Sequence, residues 1–176
     1  MVHSIELLFD EPTDAQLRRC WRQLADAGLP SQSRVQSATN RPHVTLLAAE
    51  HIDTAADAAV AQLLDRLPLD GVVGAPLLFG RRSYVLARLI VASPDLLALH
   101  ADVHDVCAPH LRPGPAPHSA PGHWTPHVTL GRRFSAEEAG RALTAVPELG
   151  RDLTGRLVAL RHWDGDQRVE HLLGGV

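Results

Sequence analysis

The chain has 176 residues, of which 45% are hydrophobic, enough for one domain with a sizeable core and too few for two ordinary independent ones. Its formal charge of −3 excludes broad adsorption on duplex DNA, which needs a basic surface that neutralises several phosphates. No apolar run approaches the roughly 18 to 20 residues of a membrane span, and the N-terminus lacks the basic start and cleavage site of a signal peptide, so a cytoplasmic protein without membrane contact is expected.

In chain order, Ser4 to Phe9 reads as a first strand. Pro12, Thr13 and Asp14 then open a helix with Leu17, Cys20, Trp21 and Leu24 on one face, ended by Gly28 and Pro30. Residues 31–40 are a polar loop that feeds a strand from His43 to Ala49. An Ala-rich helix is expected over Thr54 to Leu67, capped by Asp53 or Thr54. Strands Val72 to Phe79 and Tyr84 to Val91, joined by Gly80 to Ser83, suit a hairpin. Ser93 and Pro94 start a helix that runs to about Cys107. The Pro- and Gly-rich stretch 113–122 reads as an exposed loop without regular structure. A strand at His127, a helix from Ser135 to about Val146 opened by a capping-box pattern Ser135-x-x-Glu138, and strands near Leu153 to Trp163 and Val169 to Leu173 complete the pass.

Pro-His-Val-Thr-Leu occurs twice in this series, as Pro42 to Leu46 and Pro126 to Leu130. In a strand, residues two apart share a face, so His43 points with Thr45 and His127 with Thr129. The copies are 84 residues apart, too far for one hairpin. They read as equivalent strands of two similar lobes in a single α+β domain spanning residues 1–176, with two imidazoles and two hydroxyls facing one cleft. A single His-x-Thr is commonplace; a matched pair, each preceded by Pro, asks for a chemical reason.

Two histidines at one phosphate can share the work of phosphodiester cleavage, because imidazole titrates near neutrality and serves as either base or acid. The two threonines can donate to non-bridging phosphate oxygens, whose charge grows in the transition state. No cofactor or metal is required. All 17 basic residues are arginine, which excludes a ligase that works through a lysine-adenylate.

The two motifs, His43-Val44-Thr45-Leu46 and His127-Val128-Thr129-Leu130, resemble those of the 2H phosphoesterases, and within them the bacterial 2′-5′ RNA ligase-like proteins. Arg132 matches a basic residue that often follows the second motif. The resemblance implies a bilobal fold, with antiparallel sheets and outer helices around a central groove. It also implies cleavage of 2′,3′-cyclic phosphates on RNA ends or small nucleotides, and in some relatives the reverse joining of RNA ends through a 2′,5′ bond. A nucleotide- or phosphometabolite-binding module with little turnover is the alternative.

Around this pair, Arg132 and Arg41 are candidate phosphate contacts, although simple alternation turns Arg132 away from the His face unless the strand bulges. Trp124, Tyr84 and His123 are candidate base-stacking groups. Glu6 reads as a solvated edge residue, with a place in the groove and contact to a sugar hydroxyl as the alternative. His100 and His104, at i and i+4, and the sequence cluster His118, His123 and His127 raise a zinc alternative, but no His-Glu-x-x-His motif supports it, and His100 and His104 read as exposed on a packing helix. Cys20 and Cys107 read as reduced, semi-buried thiols. A monomer is expected.

Overall fold

Asp10 starts the first helix: its carboxylate accepts from Thr13 N at 3.2 Å, and Pro12 occupies the first turn, where a missing N–H costs nothing. In the computed structural model, which describes residues 2–175, this helix (α1) spans Glu11–Asp26 and buries Leu17, Cys20, Trp21 and Leu24. Gly28, at φ 71°, takes the left-handed conformation that lets Leu29 N return to Leu24 O at 2.9 Å.

The strands are β1 (His3–Phe9), β2 (His43–Ile52), β3 (Leu69–Phe79), β4 (Tyr84–Ile90), β5 (Leu111–Pro115), β6 (His127–Phe134), β7 (Leu153–Asp164) and β8 (Val169–Gly175). The remaining helices are α2 (Ala56–Ala61), α3 (Pro94–Cys107) and α4 (Ala136–Ala145). The capping box at α4 forms in full: Ser135 Oγ accepts from Glu138 N at 3.1 Å and Glu138 Oε2 accepts from Ser135 N at 2.8 Å.

The fold is α+β, as expected, and all pairings between the described strands are antiparallel. The sheets of the two halves are continuous, in the order β5-β2-β1-β7-β3-β4-β6. Strand β7 joins them: one edge pairs with β1, while the other pairs with β3 through Leu153 to Leu157 and with β8 from Ala159 to Asp164. In a flat sheet β2 and β6 would lie five spacings apart, about 24 Å. Their Cα atoms come within 8 Å, so the sheet folds back on itself and brings the two motif strands together.

Four expectations are corrected. The helix expected over Thr54 to Leu67 shortens to Ala56–Ala61 followed by a 3₁₀ turn at Leu64–Arg66, and the helical stretch ends at Leu67, which is extended because it precedes Pro68. Neither Asp53 nor Thr54 caps it: Ala55 is the N-cap residue, without a side-chain bond, and the Asp53 carboxylate accepts from Ala55 N at 2.9 Å in the turn before the helix. Part of the stretch 113–122 is a strand after all: β5 pairs with β2 at the sheet's edge, the one place where Pro113 and Pro115 break no ladder on the far side. Cys20 and Cys107 are fully buried; burial, with Glu148 near Cys20 and Asp57 near Cys107, pushes the thiols up to about 11 and about 12.

His100 and His104 are also buried, at 2% and 8% exposure, rather than presented to solvent. His100 stacks on Trp124 with centroids 3.9 Å apart, and its Nε2 lies 2.8 Å from Ser119 O; His104 Nε2 lies 3.3 Å from Leu46 O. Burial holds both pKa values below 6.5. The unfolded chain therefore binds more protons than the native one once pH falls through the ordinary histidine range, and stability falls with it. Thermal melts between pH 8 and pH 5 should show the midpoint dropping below about pH 6.5, and His100→Gln should flatten that slope; a wild-type midpoint level down to pH 5 would contradict the linkage.

Candidate active site

Each motif strand carries a β-bulge at the same place. In β2 the register passes from Thr45 opposite Glu6 to Leu47 opposite Ile5, which leaves Leu46 as the extra residue. In β6 it passes from Thr129 opposite Ala87 to Gly131 opposite Leu86, which leaves Leu130. Both leucines are fully buried, so the sequence inserts an additional apolar anchor at each motif. The bulge has two consequences. It turns Arg132 back to the face of His127 and Thr129, resolving the alternation problem. It also leaves the threonine carbonyls to other donors: Trp124 Nε1 donates to Thr45 O at 2.9 Å and Trp21 Nε1 to Thr129 O at 3.1 Å.

The histidines are matched in the same way. His43 Nδ1 lies 2.8 Å from Arg41 O, and His127 Nδ1 lies 2.7 Å from Thr125 O, in each case the carbonyl two residues before. A carbonyl only accepts, so each neutral ring carries its proton on Nδ1 and leaves Nε2 as the reactive nitrogen.

Their surroundings differ. His43 and Thr45 line a recess of about 390 Å³ with Ser4, Glu6, Arg161 and Arg132. His127 and Thr129 line an adjoining one of about 550 Å³ with Phe79, His118, His123 and the same Arg132. Arg132 is thus a wall common to both, and the two imidazoles are close enough that His43 helps depress His127. Burial is the largest cause holding the His127 pKa below 6.5; Arg132 and His43 add to it, against the Thr125 carbonyl.

Glu6 is not at a solvated edge. It is 4% exposed, and accepts from Ser4 Oγ at 2.6 Å and Arg161 Nε at 2.7 Å. Its Oε1 lies 3.6 Å from His43 Nε2. Burial works to raise its pKa, yet His43, Arg161 and the hydrogen bonds from Ser4 and Arg161 together hold it below the usual carboxylate value. Arg161, itself 3% exposed, continues to Glu170 Oε2 at 2.7 Å and Thr39 O at 2.8 Å.

Arg41 is tied into this chain of charges, donating to Glu170 Oε1 at 2.8 Å, rather than lining either recess. Trp124 supports the floor through Thr45 O instead of facing the cleft. Tyr84 is not brought to the site: it lines a separate apolar groove with Leu78, Leu86 and Leu143, its hydroxyl bonded to Arg81 O at 3.2 Å. Phe79, which nothing in the sequence marks, instead lies 4.7 Å from the His127 ring, in position to offer an aromatic wall. Arg161 also escapes the sequence pattern, although an arginine inside the apolar run of β7 is the kind of residue that demands a buried partner. Among the described residues, neither His100 with His104 nor His118, His123 and His127 bring three possible metal donors together.

Solved proteins share this architecture. Usb1 of Kluyveromyces marxianus superposes over 98% of this chain and 97% of its own, at 14% identity and a TM-score of 0.57. The Thermus thermophilus protein TT0787 does so over 99% and 96%, at 17% identity and a TM-score of 0.57. A further phosphoesterase matches over 97% and 92% at 14% identity and a TM-score of 0.51. These likenesses establish the fold. Sequence comparison with curated proteins gives no significant match. The profile of the 2′-5′ RNA ligase superfamily matches residues 9–167, which span both His-x-Thr motifs, and this chain is a member of that superfamily.

Proposed function

We propose that the protein is a cyclic phosphodiesterase that opens 2′,3′-cyclic phosphates on RNA ends or small nucleotides, with His43 and His127 as its acid–base pair. The observation that carries this reading is the pair of Nδ1-anchored imidazoles on bulged strands that share Arg132. His127, kept neutral by burial and its cationic neighbours, takes the proton from the attacking water through Nε2. The water oxygen bonds to phosphorus as one ring P–O bond breaks, and His43 delivers a proton to the departing ribose oxygen. Glu6 Oε1 faces the cationic form of His43. Thr45, Thr129 and Arg132 hold the phosphoryl oxygens. With a ribose 5′-hydroxyl in place of water the same forward steps join two ends without a lysine: its oxygen bonds to phosphorus as the ring P–O3′ bond breaks, and the phosphate is left bridging a 2′,5′ bond.

Usb1 solved with uridine monophosphate has this fold, at 14% identity and a TM-score of 0.56, and so supports a nucleotide in the groove. The apolar wall of Phe79 beside His127 suits a base, since stacking on aromatic rings is sequence-tolerant. The folded-over sheet supports a two-lobed, single-domain organisation with one motif from each half.

The test is a screen of 2′,3′-cyclic mononucleotides, cyclic-phosphate RNA oligomers and ADP-ribose cyclic phosphate, with the position of the product phosphate identified. Turnover should survive EDTA. The acid limb of kcat/KM should lie below pH 6.5, because His127 must be neutral and its pKa is lowered. Arg132→Gln removes one of the charges that lowers it, so the limb should move to higher pH while KM rises. Binding of nucleotides with no product in any arm would favour the binding-module alternative.

A further inference from the structure

Four histidines that the acid–base site does not use gather on the opposite face of the sheet. Ser4 and Glu6 line the His43 recess, so their neighbour His3 points the other way. Across the strands from it lie His51 on β2, whose ring centroid is 4.9 Å from that of His3, and His162 on β7, 5.8 Å away; His171 on β8 follows at 5.7 Å from His162. The bulge at Leu46 is what puts His51 here rather than with His43, since it reverses the alternation of β2.

Carboxylates complete the cluster. Asp164 Oδ1 accepts from the backbone N–H of Asp166 at 2.8 Å and of Gln167 at 2.9 Å, a turn that sets Asp166 Oδ2 3.2 Å from His3 Nε2. Donor atoms of His3, His51 and Asp166 all lie within 4.8 Å of one another. Behind them, His162 Nδ1 is held by Asp57 Oδ1 at 2.7 Å.

We propose that His3, His51 and Asp166 form a binding site for a divalent cation of the zinc class, outside the acid–base cleft and with a structural role. Ligands bound tetrahedrally at about 2.0 to 2.1 Å stand about 3.3 Å apart, close to the separation that His3 Nε2 and Asp166 Oδ2 already have. The His51 side chain, exposed on β2, is free to close the remaining distance, and water supplies the fourth ligand. Two imidazoles and one carboxylate suit zinc, cobalt or nickel over calcium or magnesium, which prefer all-oxygen shells. His3, 1% exposed, also has Asp164 Oδ1 3.5 Å from its Nε2, so this nitrogen already sits between two carboxylates, a local charge that suits a cation. A cation at this point ties the start of β1 to β2 and to the β7–β8 turn, the strands that carry Glu6, His43 and Arg161.

The experiment uses tag-free protein stripped with EDTA and dialysed into metal-free buffer. It is titrated with zinc chloride by calorimetry and with cobalt chloride by visible absorption. One equivalent of zinc should bind, with a rise in the thermal midpoint and a cobalt spectrum of tetrahedral intensity. His51→Ala and Asp166→Ala, both at exposed positions, should each weaken binding at least about tenfold. His171→Ala and the His43→Ala, His127→Ala double variant should bind as the wild type does. Absence of binding to the wild type, wild-type affinity in His51→Ala, or loss of binding in the His43→Ala, His127→Ala protein would each overturn the proposal. None of these readings depends on turnover, so the site stands or falls separately from the phosphodiesterase.

Discussion

Alanine at both His43 and His127 should leave a folded protein whose turnover of cyclic phosphates is lower by orders of magnitude. Both imidazoles are partly solvent-accessible; His127 gives up its hydrogen bond to Thr125 O, and His43 its bond to Arg41 O and its longer contacts with Arg161 and Glu6, which keep each other as partners, so the fold should survive. General acid or base catalysis is worth about 10²- to 10⁴-fold for each group, and each single variant should fall within that range. The double variant should be only modestly worse than the poorer single one, because a base with no acid to complete the proton transfer gains almost nothing. The two singles should also differ in shape. His127→Ala removes the base and with it the acid limb of the pH profile, whereas His43→Ala removes the alkaline limb. A substrate with a better leaving group should partly rescue His43→Ala and not His127→Ala. Full turnover in the folded double variant sinks the proposed mechanism, and identical pH profiles for the two singles would sink the assignment of base and acid.

The motifs are legible in the sequence because their information is local: a five-residue repeat, a strand period of two and a proline that opens each strand. The element order is legible for the same reason, from Pro12, Gly28 and Ser135 at helix ends. What the sequence does not show depends on register. A bulge at Leu46 or Leu130 moves every later side chain to the other face, and decides that Arg132 meets the cleft and that His51 leaves it, yet no residue there announces it. Burial of charge is likewise a tertiary fact. Glu6 reads as a surface residue until β7 is placed beside β1 and Arg161 appears opposite it. Trp124 and Tyr84 show the limit of residue type as a guide, since an aromatic ring near a motif serves packing as readily as stacking. The proline-rich stretch 113–122 reads as a loop throughout because its composition cannot reveal that part of it lies at a sheet edge, where proline is tolerated as it is not in a central strand.

Replacing Arg161 with Met should be the most destabilising single change near the site. Arg161 Nε donates to Glu6 at 2.7 Å, and without it a carboxylate that is 4% exposed keeps only Ser4 and the His43 ring as partners. Removal of one member of a buried ion pair costs about 3 to 5 kcal/mol, most of it the penalty on the charge left behind. The pH dependence identifies that cause. In the wild type the Glu6 pKa is lowered, so the stability it contributes is present above the unfolded value of 4.5 and is lost as pH falls through the folded one. In Arg161→Met the same carboxyl is raised by burial, so the protein should gain relative stability as pH drops and Glu6 takes up a proton. Urea unfolding at pH 7.5 and pH 4.5 should therefore show a large gap between variant and wild type at the higher pH and a smaller one at the lower. Adding Glu6→Gln to Arg161→Met should recover part of the loss at pH 7.5, because it removes the stranded charge. A gap that is the same at both pH values, with no recovery in the double variant, would mean that Arg161 acts through packing or through Glu170 and Thr39 instead. The same variant also reads the link to chemistry. At the lower pH, where Glu6 has taken up a proton, the His43 cation loses its neighbouring carboxylate, so there Arg161→Met should lower kcat more than it raises KM.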